Sequence, residues 1–194
     1  HPDDIKAVIG DYNEEAGAWI RFNPLDGAGV SNQNVTELRY ALVESDTLEI
    51  ERQKAIMEEL QLPIAIMLYS GGKSIHAIVK VDAVTVQDYR EKVDYLYRIC
   101  EKNGLSIDKQ NKNPSRMSRM PGVKRGDKNQ YILAENIGLA TFDEWKEYIE
   151  DSIDTYPDIV TFSDLKELPP LSPELIEGIL RKGHKMLISG ASKA

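Results

Sequence analysis

Between residues 47 and 104 the chain switches its hydrophobic period twice, and few folds accommodate that order. Residues 49–60 carry Ile50, Ala55, Ile56 and Leu60 on one helical face, with Thr47 placed to cap the helix and Pro63 to end it. Ile64-Ala65-Ile66-Met67-Leu68-Tyr69 is then a short apolar run bounded by turn signals, the pattern of a strand buried on both faces. Gly71-Gly72 supplies a turn and Ser74 to Val81 alternates in strongly β-forming residues, so 64–81 reads as a β-hairpin. Residues 85–103 return to the helical period, capped by Thr85 and closed by Asn103-Gly104. A hairpin between two amphipathic helices predicts an α+β domain, a mixed or antiparallel sheet with helices packed on it.

The flanking segments extend this pattern. A short helix is expected within 3–9, a turn-rich stretch over 10–17, a strand at Ala18 to Phe22, and a turn and loop from Asn23 to about Val35. Leu38 to Val43 is a strand continuing into Glu44-Ser45-Asp46, and Leu105 to Asp108 is extended. The polar tract 109–128, broken by Pro114 and Pro121-Gly122, reads as a functional loop. Tyr131 to Ala134 follows as a late strand and 141–153 as an acidic helix. The main domain then occupies 1–150, with 151–172 a linker marked by Pro157 and Pro169-Pro170, a helix at 173–182 and a strand at 185–189.

A length of 194 residues suits one well-buried domain with a short additional module. No run approaches the ~20 apolar residues that span a bilayer, and the N-terminus lacks the pattern of a secretory signal, so a cytoplasmic location is expected. The chain begins His1-Pro2 and reads as a fragment of a longer protein. Its single cysteine, Cys100, rules out an intramolecular disulfide or cysteine-based zinc site, and its helical neighbours Val93, Leu96, Tyr97 and Ile99 predict a buried structural thiol. The net charge of −8 would argue against nucleic acid if it were uniform. It is not: 109–128 carries Lys109, Lys112, Arg116, Arg119, Lys124, Arg125 and Lys128 against Asp127 alone, and much of the negative charge lies in 141–178.

Polar residues cluster at the ends of the predicted strands. Glu44 and Asp46, two apart on a strand, would project from one face and offer hard oxygen ligands to a divalent metal; equally, they are solvated strand-end residues, or Asp46 caps the next helix. Ser74 and His76 repeat that spacing after a glycine turn carrying Lys73, which suits phosphate oxygens or simply the polar face of a hairpin. A Ser/His hydrolase is disfavoured, because no nucleophile-elbow sequence is present. Asp108 ends an apolar segment just before the basic tract, where it is placed to add a third carboxylate, and Arg116 and Arg119 suit bidentate phosphate contacts.

In order, Leu42-Val43-Glu44-Ser45-Asp46, Tyr69-Ser70-Gly71-Gly72-Lys73-Ser74-Ile75-His76 and Ile107-Asp108 resemble the three motifs of the archaeo-eukaryotic primases: an acidic pair, S-x-H and a later single acid. Asn113-Pro114-Ser115-Arg116-Met117-Ser118-Arg119-Met120-Pro121-Gly122 and Trp19-Ile20-Arg21-Phe22-Asn23-Pro24 are similar to segments of the plasmid and phage primase-polymerase branch, so the likeness covers most of 15–135. The resemblance implies an RRM-like sheet and a DNA primase-polymerase. Glu44, Asp46 and Asp108 would hold two divalent ions, Mg²⁺ or Mn²⁺. Ser74 and His76 would bind the phosphates of an incoming NTP or dNTP, and Lys73, Arg116, Arg119 and Lys124 would neutralise phosphate on nucleotide or single-stranded DNA template. Glu44 stands where an Asp is the shorter alternative. Rival expectations are a catalytically weak nucleic-acid-binding replication-initiation module and a metal-dependent phosphoesterase. Lys185 to Ser189 reads as a strand before Gly190-Ala191-Ser192-Lys193-Ala194, which fits the first five positions of the phosphate loop G-x-x-x-x-G-K-[ST] or else a flexible tail. On the first reading, 173–194 begins a RecA-like ATPase or helicase domain, a partner of the primase-like domain in the parent chain.

Overall fold

The hairpin forms as expected and organises what surrounds it. The computed structural model describes residues 7, 9–152, 173–176 and 180–181. In chain order its elements are β1 (Trp19–Arg21), β2 (Leu38–Glu44), α1 (Ile50–Glu59), β3 (Ile64–Tyr69), β4 (Ile75–Ala83), α2 (Val86–Lys102), β5 (Met117–Arg119), β6 (Lys124–Arg125), β7 (Lys128–Asn129), β8 (Tyr131–Ile137), α3 (Phe142–Ser152), β9 (Glu174–Ile176) and β10 (Leu180–Arg181). The fold class is α+β. Antiparallel strands in the order β2-β4-β3-β8 make the main sheet. Both β2 and β3 pair antiparallel with β4, so they run parallel to each other across it. With α1 as the crossover, this is the split β-α-β arrangement, and it forces the strand after the hairpin turn into the middle of the sheet.

Strand alternation gives the sheet two unlike faces. Ala41 and Val43 of β2 and Ile75, Ala77, Val79 and Val81 of β4 are fully buried in one core with Ile56 and Met57 of α1, Val93 and Leu96 of α2, and Trp145 of α3. Trp145 is completely buried, donates from its indole N–H to the Leu60 carbonyl at 2.9 Å, and meets the Tyr95 ring edge-on. Burying such a ring contributes on the order of 3 kcal/mol. Leu42, Leu68 and Ile78 face the other way, beneath a ribbon in which β1 pairs with β5. An apolar groove of about 300 Å³ lies between ribbon and sheet, lined by Ile20, Phe22, Ala65, Ile66, Leu68 and Ile78 among others.

The free edge of β2 is closed by side chains rather than by a strand. Asn23 is buried; its amide donates to the Tyr40 carbonyl at 2.9 Å and its oxygen accepts from the Arg39 and Tyr40 N–H groups. The Tyr97 hydroxyl donates to the Leu42 carbonyl at 2.6 Å, and the Asp108 N–H donates to the Glu44 carbonyl at 3.3 Å. These bonds satisfy backbone groups that an exposed edge would present to another chain.

Most sequence-based expectations for this region hold. Thr85 caps α2 by accepting from the Asp88 N–H at 3.1 Å, and Cys100 is buried, its thiol pushed up to about 12 by burial. Three differ. Thr47 does not cap α1; Glu49 occupies the N-cap position and makes no side-chain cap bond. β2 stops at Glu44, so Asp46 lies in a bend rather than on the strand. The tract 109–128 contains a 3₁₀ turn, Lys109–Lys112, and strands β5, β6 and β7, where a loop was expected. The last two strands pair with each other and β5 with distant β1.

The chain divides into two compact units, residues 1–155 and 156–194. In the second, β9 and β10 pair antiparallel, which replaces the helix expected at 173–182. Gly178 and the β-branched Ile176 and Ile179 all weaken a helix there. Residues 3–6 of the expected first helix, 153–172 of the linker, the strand at 185–189 and the loop-like 190–194 lie outside the described residues.

Gly138 fixes how the last strand leaves the sheet. Its φ is +76°, and a Cβ there would stand 1.9 Å from the Leu62 carbonyl oxygen, a backbone atom with little freedom to retreat. Gly138→Ala is expected to lose at least about 3 kcal/mol by urea denaturation, since backbone strain and overpacking add.

Candidate functional site

The register of the β2–β4 ladder sets Glu44 opposite His76 at the end of the sheet. Glu44 Oε1 is 3.6 Å from His76 Nε2. The other ring nitrogen, Nδ1, accepts from the Arg119 N–H at 3.3 Å and lies 3.1 Å from the Ser118 hydroxyl of β5. A nitrogen that accepts from a backbone N–H carries no proton, so the proton of a neutral imidazole sits on Nε2 and faces Glu44. Neutrality follows from the surroundings. Burial, then the charges of Arg119, Arg116 and Arg125, hold His76 down at about 3.

Glu44 is pushed in the opposite sense. Burial is the largest cause of its raised pKa, and the charges of Asp46 and Asp108 add to it, while Asn111 and Arg116 pull it down. Asn111 is fully buried; its amide donates to Glu44 Oε2 at 3.2 Å and its own side-chain oxygen has no partner. Asp108 reaches the site through its backbone bond to Glu44. Its carboxylate caps the 3₁₀ turn by accepting from the Gln110 N–H, and it lies 3.8 Å from Arg116. Asp46 is exposed beyond the strand end. Among the described residues no three His, Cys, Asp or Glu side chains are gathered closely enough to hold a metal ion. After burial, the Asp46 and Asp108 carboxylates add to the raised pKa of Glu44, a repulsion that a cation placed among the three would relieve.

Ser74 and the glycine turn abut this centre. Ser74 is buried with its hydroxyl 3.2 Å from that of Ser70. Gln53 of α1, also fully buried, locks the turn: its amide donates to the Leu48 and Lys73 carbonyls and its oxygen accepts from the Ile75 N–H. The Arg125 guanidinium lies across the turn, donating to the Ser70 carbonyl at 3.3 Å; a Cβ on Gly72 would come within 2.8 Å of it. Lys73 is exposed at the turn.

The two basic and aromatic tracts singled out in the sequence meet here. Asn23 donates to the Pro114 carbonyl at 3.0 Å, Arg21 donates to the Ser115 carbonyl, and the β1–β5 ladder pairs Trp19 with Arg119. Arg119 is 7% exposed, lies over the Trp19 ring and is pushed down to about 10 by burial and by Arg125. Lys124 stands apart, half exposed and 4.0 Å from Glu14. The structure therefore brings Glu44, Asp108, Ser74, His76, Arg116 and Arg119 to one end of the sheet, with Asp46 and Lys73 at its margin and Lys124 directed to Glu14. Sequence reasoning missed Asn111, Gln53, Asn23 and Arg125. For Arg125 the charge run was a signal; for the buried amides there was none.

No protein-family model matches the chain, and no curated protein matches it. Among solved structures it is similar to the AEP domain of the cyanophage S-2L primase-polymerase (PrimPol), at 25% identity and a TM-score of 0.46. The match covers 61% of this chain and 64% of that one, just under two thirds of the latter.

A histidine buried neutral makes stability depend on pH. The unfolded chain takes up the proton below about 6.5 and the folded one only near 3, so the His76 contribution is full above 6.5 and is lost as pH falls through that window. Wild type should lose stability with a slope about 1.4 kcal/mol per pH unit steeper than His76→Gln between pH 6 and about 4.5, read from denaturant midpoints.

Proposed function

We propose that residues 1–150 form the catalytic domain of a DNA primase-polymerase, a nucleotidyltransferase that joins nucleoside triphosphates on a single-stranded DNA template in replication. The observation that carries this reading is convergence: three motifs distant in sequence meet where His76 faces Glu44 and the Asp108 N–H bonds the Glu44 carbonyl. On this reading Glu44, Asp46 and Asp108 hold two divalent ions, Mg²⁺ or Mn²⁺. When bound, these supply the charge that activates a 3′-hydroxyl and stabilises leaving pyrophosphate. The chain's own residues position the reactants. Ser74 and Lys73 at the glycine turn, with His76 and Arg116, bind the triphosphate. Arg119 contributes positive charge at the centre and Lys124 at the edge of the template path. Asn111 holds one oxygen of Glu44, so the carboxylate presents the other. Residues 151–172 act as a linker and 173–194 lead into an ATPase or helicase domain.

A second reading is favoured by the ungathered carboxylates: a replication module that binds nucleic acid with weak catalysis. Labelled-nucleotide incorporation on single-stranded template with Mg²⁺ or Mn²⁺ separates the two. The primase-polymerase incorporates, and Asp46→Ala and Glu44→Gln each lower the rate by at least about a hundredfold. Binding without incorporation, or incorporation unchanged in Asp46→Ala, rejects it.

Template binding should also weaken with salt. Replacing Arg116 by Ala is expected to lower the slope of log affinity against log salt by about one, measured by anisotropy of a labelled strand.

A further inference from the structure

The chain has two tryptophans, and they are placed in opposite ways. Trp145 is sealed in the helix-side core. Trp19 is 47% exposed, on the ribbon over the polar end of the sheet, its ring centroid 6.4 Å from that of His76 and tilted by 49°. The exposed ring is not loose. β1 pairs it with Arg119, whose guanidinium carbon lies 3.5 Å from the ring centroid. That guanidinium is itself fixed, donating to the Ala16 carbonyl at 2.6 Å and almost wholly buried. A buried cation thus backs one side of a ring that keeps nearly half its surface open to solvent.

We propose that Trp19, backed by Arg119, is a stacking subsite for an unpaired nucleobase beside the Glu44–His76 centre. The proposal rests on reading this end of the sheet as a nucleotide-handling site. Every base has a π-face, so an indole accepts it without reference to sequence, and a ring already held by a strand ladder and a guanidinium loses little freedom when a base lands on it. The surrounding charge suits the rest of the ligand. Arg116, Arg119 and Arg125 all act on His76, so phosphate attached to a stacked base meets positive potential. Aliphatic partners would gain nothing from that charge, whereas a nucleotide uses both ring and guanidinium groups.

The test uses the 194-residue chain and the emission of its two tryptophans, titrated with dATP alone and separately with oligo(dT). Either probe is expected to quench a saturable part of the emission, and Trp19→Phe, which leaves only buried Trp145, is expected to show none. Quenching by dATP assigns the base to a free nucleotide; quenching by oligo(dT) alone assigns it to the strand. Affinity for that probe, measured by isothermal titration calorimetry because both variants lack the reporting indole, should fall about ten- to a hundredfold in Trp19→Ala and be largely kept in Trp19→Phe, with thermal denaturation confirming that both fold. The subsite is overturned if neither probe changes the emission, or if Trp19→Ala binds as wild type does. Incorporation assays on the same preparations keep the two readings apart. Quenching without incorporation retains the subsite and removes the polymerase reading, and incorporation without quenching does the reverse.

Discussion

The pairing register of β2 with β4 is the constraint on which the site depends. Side chains alternate along a strand, so a slip of one residue would carry Glu44 and His76 to the helix-packed face and bring Val43 and Ala77 out of the core. Core and site are therefore specified together: the apolar residues that fix the register for stability also place the carboxylate opposite the imidazole. The split β-α-β topology adds the second half of the constraint. Because β4 must insert between β2 and β3, the glycine turn before it arrives at the same end of the sheet at which β2 terminates. Ser74 and His76 reach the Glu44 end by topology alone.

The charges at this end are arranged in layers. A neutral His76 separates the Glu44 carboxylate from the backbone of Arg119, while burial, and after it the three guanidinium groups that act on the ring, keep it from taking a second proton. Replacing that neutral ring by a cation would add a charge inside a cluster that is already positive; replacing it by an apolar ring would leave Glu44 with one fewer polar neighbour. The opposite pushes on Glu44 and His76 thus share a first cause, burial, which disfavours the charged form of each; neighbouring acids add to the one and the guanidinium groups of the tract that follows add to the other.

Much of this was legible in the chain because it is local. The hairpin, the helices after residues 49 and 85, the Thr85 cap and the buried Cys100 follow from periodicity and turn chemistry within a few residues. Glu44, His76 and Asp108 could be singled out because polar residues at the ends of apolar strands break the pattern around them. What escaped the reading is nonlocal. Met117–Arg119 looks like loop until β1 supplies a ladder, and the proline-rich surroundings conceal it. Asn23, Gln53 and Asn111 resemble ordinary polar residues in turns and helices; only their full burial against distant backbone or a carboxylate makes them structural. The strand end was misplaced by two residues for a similar reason, since propensity does not register where the ladder partner turns away.

The two faces of the sheet divide the energetic burden. The helix face concentrates the large side chains, with Tyr89, Tyr97 and Trp145 buried to the last few per cent and the Tyr hydroxyls bonded to β2 carbonyls. The ribbon face holds what a fold selected for stability alone would avoid: a carboxylate with a raised pKa, an imidazole held neutral, an amide oxygen without a partner and a buried arginine. Each such group costs on the order of 1–3 kcal/mol when its partner is imperfect. Grouping them on one face, opposite a well-packed core, confines that cost to a place where incoming charge can offset it. A ligand that brings cations to the carboxylates and phosphate to the guanidinium groups would satisfy both sets at once, so the groups that cost stability on this face are the ones such a ligand would use.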